Sequence, residues 1–485
     1  MIRPLGYNEL YQLARYTTDQ YRGTSVLCRY EIPVNLRDKN ELTNTINTAV
    51  KRVIASSPTL RSVISGADTS EPVWIQLHSL DLNEHIKWAT FDDAVASDQA
   101  VRATVLEQLS MRFWDLDKRP GWRLVVMQHA TKEVLDILFV WNHPHADGMS
   151  GKIFHEHLLE ALNQLPANEP QHSGHLTMDF TDSSVAFPPR IEETVELTLT
   201  TPYLLKEAWK EYKPTSLFPS ATDARWAPIQ ALQYKFSYES ATVSETVLRK
   251  ILHMCRDRGT TLTGLLNSLV LVSLASHLEA KIAPGFMSST AIDQRRFVPA
   301  PSEKYPDLVP AKTIGNYVTV LYHEYDKVLL ADIRGKIARS KPGCLSEDLL
   351  DSLWAVAKRV RGEISKRLEM GVHNDLLGLS KMVPDWSKKF KKDAKKPRPL
   401  SWFLTNLGVF EEGLEAETGN SWVRKRAQFT LSTETPLAAL LIGVASVRGE
   451  DLVFTCTWQD TVVERILFES LMMDLVKWLN QIGGE

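Results

Sequence analysis

The segment His143-Pro144-His145-Ala146-Asp147-Gly148 combines imidazole, carboxylate and glycine within six positions. A neutral His143 imidazole could take the proton from an alcohol or an amine while that group attacks a thioester carbonyl. Asp147 could cap a following helix or accept hydrogen bonds from an arginine, and Gly148 permits close backbone approach or an unusual dihedral angle. We therefore predict an acyl-transfer site in which His143 is the general base.

A metal site is the alternative use of the same segment. His143-x-His145-x-Asp147 nearly spells the HxHxDH pattern of metallo-β-lactamase-type hydrolases, and His155 and His157 follow on the next predicted helix. Gly148, however, stands where that pattern has its last histidine, and the segment follows a long stretch of mixed helix and strand. We therefore favour acyl transfer over metal-dependent hydrolysis, expect no metal, and interpret the other histidines as loop, surface or packing residues.

The flanking sequence predicts the elements that position this segment. Residues 134–141 are nearly all apolar, as in a strand that is covered on both faces. Residues 122–128 form the preceding strand of a predicted hairpin, and residues 148–162 return to helical periodicity. His143 is therefore expected on a loop at the end of a buried strand, where functional residues are common.

The length of 485 residues exceeds what one hydrophobic core usually supports, so two subdomains are expected. A proline-rich stretch predicts a crossover linker at 166–230, between an N-terminal subdomain at 1–165 and a C-terminal subdomain at 231–485. Strand and helix patterns alternate irregularly in both parts. The predicted class is therefore α/β with mixed sheets.

The composition narrows the possible partners. A formal net charge of -3 gives no reason to expect nucleic acid. The four cysteines form no CxxC pair, which argues against a disulfide framework or a cysteine zinc site. No apolar stretch is long enough for a membrane span, and the first residues do not resemble a secretory signal. We expect a cytoplasmic monomer.

The motif also resembles a known group of enzymes. His143-x-x-x-Asp147-Gly148 matches the HxxxDG signature of the CoA-dependent acyltransferase superfamily, which includes chloramphenicol acetyltransferase, plant BAHD enzymes, condensation domains and fungal alcohol acetyltransferases. The plant DFGWG loop is absent, and Asn142 replaces the second histidine that condensation domains often carry; both departures favour the fungal alcohol acetyltransferase branch. The further segments that resemble this superfamily, in order along the chain, are Arg3-Pro4-Leu5-Gly6, Ala14-Arg15, Trp122-Arg123-Leu124, Ile292-Asp293-Gln294-Arg295, Gly315-Asn316 and Thr405-Asn406-Leu407-Gly408.

The resemblance implies a fold and a reaction. It implies two chloramphenicol-acetyltransferase-like subdomains with an active-site tunnel between them. It also implies acetyl-CoA as co-substrate, no permanently bound cofactor, and a small-molecule alcohol of secondary metabolism as acceptor. The acceptor would attack acetyl-CoA directly, without an acyl-enzyme. N-acyl transfer, or condensation with a carrier-bound substrate, stays open as the alternative.

The resemblance also assigns roles to individual residues. His143 would be the base, whereas Asp147 would point away from substrate and pair with Arg295 rather than with its neighbour Arg296. Gly148 and Arg295 would support the structure of the site. Asn406 is a candidate to orient substrate or to help stabilise the tetrahedral oxyanion.

A basic run at 388–398 is the strongest charge cluster in the chain. The pattern is typical of a solvated, mobile loop, which is the interpretation we favour. Cationic side chains also bind phosphate groups well, so the run could contact CoA. The candidate CoA-binding residues are Lys391, Lys392, Lys395 and Lys396.

Overall fold

The computed structural model describes residues 2–36, 38–91, 96–130, 133–165, 176–181, 185–214, 217–230, 234–413 and 420–484. Within these residues the helices are α1 (Tyr7–Thr17), α2 (Lys39–Ser56), α3 (Ala96–Ser110), α4 (Gly148–Gln164), α5 (Thr201–Tyr212), α6 (Glu245–Asp257), α7 (Leu262–His277), α8 (Lys327–Arg339), α9 (Glu347–Glu369), α10 (Leu376–Ser380), α11 (Trp386–Asp393) and α12 (Arg465–Gly483).

The strands described are β1 (Arg3–Pro4), β2 (Thr24–Glu31), β3 (Ser62–Ser65), β4 (Val73–Gln76), β5 (Ser79–Asp81), β6 (Ile86–Phe91), β7 (Trp122–His129), β8 (Val134–Trp141), β9 (Thr177–Asp179), β10 (Phe236–Val243), β11 (Phe286–Asp293), β12 (Val318–Tyr325), β13 (Leu400–Phe410), β14 (Val423–Leu431), β15 (Ala438–Val447) and β16 (Leu452–Gln459).

The first large sheet carries the strand that leads into the His143 loop. Its order is β14-β2-β8-β7-β6, with antiparallel pairs except for parallel β6 and β7. Alternate residues of β8 face two cores: Ile137 and Phe139 face the core that contains α2 and α4, whereas Leu138 and Val140 face the core that contains α3. The prediction that this strand is covered on both faces is therefore confirmed.

The second large sheet belongs to the C-terminal part of the chain. Its order is β10-β16-β15-β13-β11-β12, and it contains parallel pairs at β11/β13 and β13/β15 beside antiparallel ones. Its core includes α6, α9 and α12 around α7, which is buried along most of its length. Both sheets mix parallel and antiparallel strands, so the predicted α/β class with mixed sheets is confirmed.

One strand crosses between the two parts of the chain. β14 lies in the C-terminal part of the sequence, yet it pairs with β2 at the edge of the first sheet. The subdomain boundaries predicted at 166 and 231 stay a prediction. Parts of that predicted linker, at 166–175, 182–184 and 215–216, lie outside the described residues, as do residues 231–233 at the start of the predicted C-terminal subdomain.

The prediction of a mobile loop at the basic run is wrong, because residues 386–393 form helix α11. The carboxylate of Asp385 caps this helix by accepting from the Lys388 amide. Trp386 and Phe390, one turn apart, both pack on the ring of Tyr11 in α1 at centroid distances of 4.9 and 5.6 Å. Two aromatic anchors thus hold a helix whose outer face is basic.

Within the described ranges, no single helix has the length and apolar composition needed to cross a membrane, although α6 and α7 together pass that test as a pair bent by 98°.

Candidate active site

The His143 loop is a tight turn between β8 and α4. The Asn142 amide donates to the carbonyl of Gly121 at 2.7 Å, and the His145 amide donates back to the carbonyl of Asn142 at 3.0 Å. The first bond joins the end of β8 to the turn that precedes β7, and the second closes the loop itself. The start of the loop is therefore held by the sheet, and its end continues into α4.

His143 is half-buried, and neither of its ring nitrogens forms a hydrogen bond with another described residue. Its Nδ1 atom is enclosed by protein without a partner. The Asn316 side chain donates to its backbone carbonyl at 2.8 Å, and Asn8 of α1 donates in turn to Asn316 Oδ1 at 2.6 Å. The Tyr21 ring lies beside the imidazole, with centroids 5.8 Å apart.

The imidazole of His143 is held in its neutral form. Burial lowers its pKa to about 4, and the cation of Arg15 acts in the same direction; the residue's own backbone and Asp147 oppose this only in part. A histidine with so low a pKa is almost entirely unprotonated at neutral pH. The ring is therefore able to accept a proton.

Arg15 belongs to a buried group that sequence reasoning did not assign to the site. Its guanidinium forms an ion pair with Glu434 and donates a hydrogen bond to Gln12 Oε1 at 2.8 Å. It also lies 4.5 Å from the centroid of the Tyr21 ring. The Tyr21 ring thus lies close to both Arg15 and His143. The only signal in the sequence was the resemblance of Ala14-Arg15 to the superfamily's N-terminal segment, which says nothing of contact with His143.

Asp147 and Arg295 form the buried ion pair at the base of the loop. Arg295 Nη1 donates to Asp147 Oδ2 at 2.7 Å, and Nη2 donates to Oδ1 at 3.0 Å. Asp147 Oδ1 also caps α4 by accepting from the Ser150 amide at 2.8 Å, and Oδ2 accepts from the Tyr317 amide at 2.8 Å. Both carboxylate oxygens are engaged by these groups, and Asp147 forms no hydrogen bond with the imidazole of His143.

The segment Gly315-Asn316 completes the same network. The carbonyl of Gly315 accepts from the Asp147 amide at 3.1 Å and from Arg295 Nη2 at 3.1 Å, and its amide donates to Ser150 Oγ at 3.0 Å. The neighbouring Asn316 reaches the His143 carbonyl, as described above. The two motif segments of the C-terminal part therefore meet on the HxxxDG segment.

The electrostatics of the pair fix the charge of both partners. Burial by itself would raise the pKa of Asp147, but Arg295 and the amides of Tyr317 and Ser150 more than offset this, so the pKa lies below its ordinary value. Burial would lower the pKa of Arg295, and the carboxylates of Asp147 and Asp293 reverse that and raise it. Both partners are therefore ionised at neutral pH.

Gly148 is required by close packing. A Cβ atom at this position would come within 3.0 Å of the Phe429 ring in β14 and 3.1 Å of Leu407 in β13. The first residue of α4 therefore lies directly against two strands of the C-terminal part. Of the two reasons that the sequence offered for this glycine, close approach is the one that the structure supports.

Asn406 lies near the motif but is occupied elsewhere. Its Nδ2 donates to Thr263 Oγ1 at 3.3 Å, and its Oδ1 accepts from the Gly408 amide at 2.8 Å. The register of β13 with β15 shifts here, between Asn406 and Val409. The structure brings its neighbour Leu407 to Gly148 and shows no hydrogen bond from Asn406 to the His143 loop.

The four candidate lysines divide into two pairs. Lys396 and Lys392 form ion pairs with Glu211 of α5, at 3.0 and 3.7 Å. Lys391 and Lys395 are exposed and have no ion-pair partner among the described residues. Only this second pair is free to meet a phosphate group without breaking a contact.

The other histidines of the segment are packing residues. His145 is fully buried, accepts from the Gly121 amide at 3.0 Å through Nε2, and stands edge-on to Trp74 with ring centroids 4.8 Å apart. His155 bonds Tyr30 and the carbonyl of Val26. Among the described residues, no group of three or more His, Cys, Asp or Glu side chains is arranged to hold a metal ion.

A cavity of about 700 Å³ lies on another side of the motif, with His157 and Lys312 among its lining residues. Its walls come from α2, α4 and the segments 185–189 and 305–314. His143 is not part of the lining, so this cavity is separate from the imidazole.

Comparisons with known proteins agree with the sequence motifs. A family model described as alcohol acetyltransferase matches residues 81–313, a range that includes the HxxxDG segment and Arg295. The probable alcohol acetyltransferase FCK4 of Fusarium pseudograminearum is 28% identical over 500 residues, which cover 100% of this chain and 96% of that relative.

Solved structures share the fold over nearly the whole chain. The TRI3 trichothecene 15-O-acetyltransferase from Fusarium sporotrichioides gives a TM-score of 0.72 at 14% identity and covers 99% of this chain and 94% of its own. The condensation domain of the Monacolin K polyketide synthase MokA gives a TM-score of 0.60 at 12% identity, with 100% and 97% coverage. Both neighbours have two chloramphenicol-acetyltransferase-like lobes, so the predicted two-lobed fold is confirmed.

Proposed function

We propose that this chain is a CoA-dependent O-acyltransferase of the alcohol acetyltransferase family and that it transfers an acetyl group from acetyl-CoA to the hydroxyl of a small-molecule acceptor, with His143 as general base. The acceptor hydroxyl attacks the thioester directly, in a tunnel between the two lobes. Supporting this acceptor class, TRI3 is itself an O-acetyltransferase of a trichothecene, and we propose a secondary-metabolite alcohol here.

The observation that carries the proposal is the state of His143. Its imidazole is neutral and enclosed at Nδ1, while no described residue occupies Nε2. In the proposed reaction, Nε2 takes the hydroxyl proton as the alkoxide oxygen bonds to the thioester carbon. The tetrahedral intermediate then collapses, the C–S bond breaks, and the imidazolium returns the proton to the departing thiolate of CoA.

Asp147 and Arg295 are proposed as positioning residues for this base. They hold the loop through the cap of α4 and the Gly315-Asn316 segment, and neither touches the His143 ring. Asn406 is proposed to order the end of β13 beside the motif, and contact with substrate would require its amide to leave Thr263. Cytoplasmic localisation and a monomeric state stay predictions.

The test is a thiol-release assay on the purified protein with acetyl-CoA and a panel of hydroxylated metabolites. His143→Ala should lower kcat by at least about 100-fold, because it removes the base, while the melting temperature stays near that of the native protein. His157→Ala is the matched control, since it removes a half-buried imidazole of α4 away from the loop.

Near-native turnover of His143→Ala would refute the assignment of the base. Transfer to amines alone, or activity that requires a carrier-bound acyl donor, would favour the condensation-type alternative. Product formation with alcohols from free acetyl-CoA supports the proposed function.

A further inference from the structure

Helix α5 exposes an apolar face. Leu205, Trp209 and Tyr212 lie on one side of the helix and are 67%, 57% and 74% exposed. Next to them, Leu217 and Phe218 are 73% and 50% exposed, and the Phe218 ring contacts that of Trp209 at 5.4 Å. We call these five residues the α5 face.

A helix on the surface of a globular protein normally turns its apolar side to the core. In α5, Tyr203 and Leu204 are half-buried together with Glu207 and Glu211, whereas the residues of the α5 face are exposed to solvent. Glu211 forms ion pairs with Lys389 of α11 and with Lys396, which follows that helix, both at 3.0 Å. Ion pairs thus contribute to holding the helix against the protein, while a large apolar surface remains exposed.

The surroundings of the α5 face are strongly basic. Residues 201–213 and 385–396 contain nine lysines against four carboxylates, in a chain whose formal net charge is -3. Lys392 reaches over the Tyr212 ring, with its Nζ 5.1 Å from the centroid. Lys206, Lys391 and Lys395 are exposed, with no ion-pair partner among the described residues.

These two features together select one kind of partner. Trp, Tyr, Phe and Leu side chains beside lysines are the composition of helices that lie in the interface of a membrane, with the apolar side among the acyl chains and the lysines at anionic headgroups. A second copy of the chain fits less well, because docking two such faces would bring the lysines of both copies together. We propose that the α5 face and the lysines at positions 388–396 dock this protein peripherally on an anionic lipid surface.

Co-sedimentation with vesicles tests this proposal without any activity measurement. The full chain is mixed with vesicles of phosphatidylcholine alone or with 30% phosphatidylserine, in the absence of CoA. The native protein should sediment with the anionic vesicles, much less with the neutral ones, and progressively less as salt is raised. Leu205→Ser/Trp209→Ser/Tyr212→Ser should lower the partition coefficient by at least about tenfold.

Three further variants make the outcome decisive. Ile466→Ser/Met473→Ser is the matched control, because these α12 side chains are 76% and 65% exposed outside the basic region, and binding should be unchanged. Lys391→Ser/Lys395→Ser should weaken binding to anionic vesicles selectively. Trp209→Ser alone, which changes one exposed side chain, should show a smaller loss in the same direction.

The proposal is overturned if the native protein ignores anionic vesicles, or if the triple variant sediments as the native protein does. It is also overturned if sedimentation velocity without lipid shows a dimer that the triple variant cannot form, since the α5 face would then be an interface between copies. Because the readout is lipid binding, failure of the proposed acetyl transfer would leave this result unaffected.

Discussion

The charge state of His143 depends on a residue far from the motif in sequence. The imidazole is faced by Arg15 from α1, by the Tyr21 ring, and by Asp147 from its own loop. Of the two charged groups, Arg15 lowers the pKa and Asp147 raises it less. Glu434 neutralises part of the Arg15 charge, so the buried pair determines how much positive field the base experiences.

We predict that Arg15→Gln moves the acid limb of the kcat/KM profile to higher pH. Removing the cation lets the pKa of His143 rise from about 4 toward its ordinary value of about 6.5, so protonation inactivates the base earlier as the pH falls. The profile is measured with saturating acetyl-CoA and varied alcohol. Arg15→Lys, which retains the charge, should keep the native limb.

A role for Arg15 in packing alone would lower activity equally at every pH and leave the limb in place, which contradicts the prediction. Glu434→Gln sharpens the comparison. It removes the partner carboxylate and leaves the cation, so its limb should not move upward. An upward shift in both variants would point to disruption of the site instead of a change in its field.

Sequence reasoning found some of these residues and not others, for a physical reason. His143, Asp147 and Arg295 lie in short contiguous patterns, so their types and spacing are visible in the chain. Arg15 and Glu434 are 419 positions apart, and the resemblance of Ala14-Arg15 to the superfamily does not indicate that they pair. Their pairing depends on the position of β14 in the first sheet, which the periodicity of the sequence does not predict.

The N-terminus of α4 depends on one guanidinium. Arg295 is the only guanidinium within hydrogen-bonding distance of the Asp147 carboxylate in the described part of the chain, and the two side chains are 3% and 1% exposed. Its Nε also donates to the Thr313 carbonyl at 3.1 Å. Removing it leaves a buried carboxylate uncompensated, which is the costly way to break such a pair.

We predict that Arg295→Gln lowers the free energy of unfolding by roughly 3–5 kcal/mol, whereas its exposed neighbour Arg296→Gln changes it little. Thermal melting at pH 7 measures both. Asp147→Asn/Arg295→Gln should be less destabilised than the sum of its single variants, since both buried charges are then absent. Additive effects, or a stable Arg295→Gln protein, would show that the pair does not lock the loop.

The four candidate CoA-binding lysines, in α11 and just after it, can be tested as two pairs. Replacing Lys391, Lys392, Lys395 and Lys396 by serine should raise the KM for acetyl-CoA while kcat stays nearly constant, because phosphate contacts are lost and the His143 loop is not altered. Lys391→Ser/Lys395→Ser should account for most of that rise, since the other two lysines are held by Glu211. The assay is run in lipid-free buffer, and an unchanged KM in the four-lysine variant refutes the assignment.

Among the helices and strands, those with a regular apolar pattern can be predicted from the sequence. β8 and α4 are read directly from an apolar run and a helical repeat. Helix α11 is not predicted from the sequence because its charged residues dominate the pattern. The contacts that stabilise it, from Trp386 and Phe390 to Tyr11, are tertiary. The stability of such short helices comes mainly from tertiary packing and only to a small extent from helix propensity.

Across the whole molecule, β14 is the element that joins the two lobes. It completes the first sheet beside β2, and its Phe429 ring lies against Gly148 where the loop enters α4. The composition predicted two subdomains and mixed sheets, and the resemblance predicted the two lobes. Neither predicted that β14 would pair with β2, because the sequence of a strand does not by itself specify which strand it pairs with.

The fold also encloses several neutral imidazoles, which predicts how its stability depends on pH. Burial lowers the pKa of His145 and of His155 to about 3, and that of His143 to about 4. In the unfolded chain these groups take up protons near pH 6.5, whereas the folded protein cannot, so stability is complete above that pH and falls below it.

Each buried imidazole contributes up to about 1.4 kcal/mol of lost stability per pH unit between pH 6.5 and its folded pKa. The melting temperature should therefore fall from pH 7 to pH 5, before most carboxylates protonate. His155→Gln should melt lower at pH 7, because the bonds to Tyr30 and Val26 are disturbed, yet show a smaller fall between the two pH values. His253→Gln, which replaces an imidazole that is 70% exposed, should leave the fall unchanged. Equal falls in all three proteins would mean that acid acts on other groups, and that the desolvation of these histidines has no part in it.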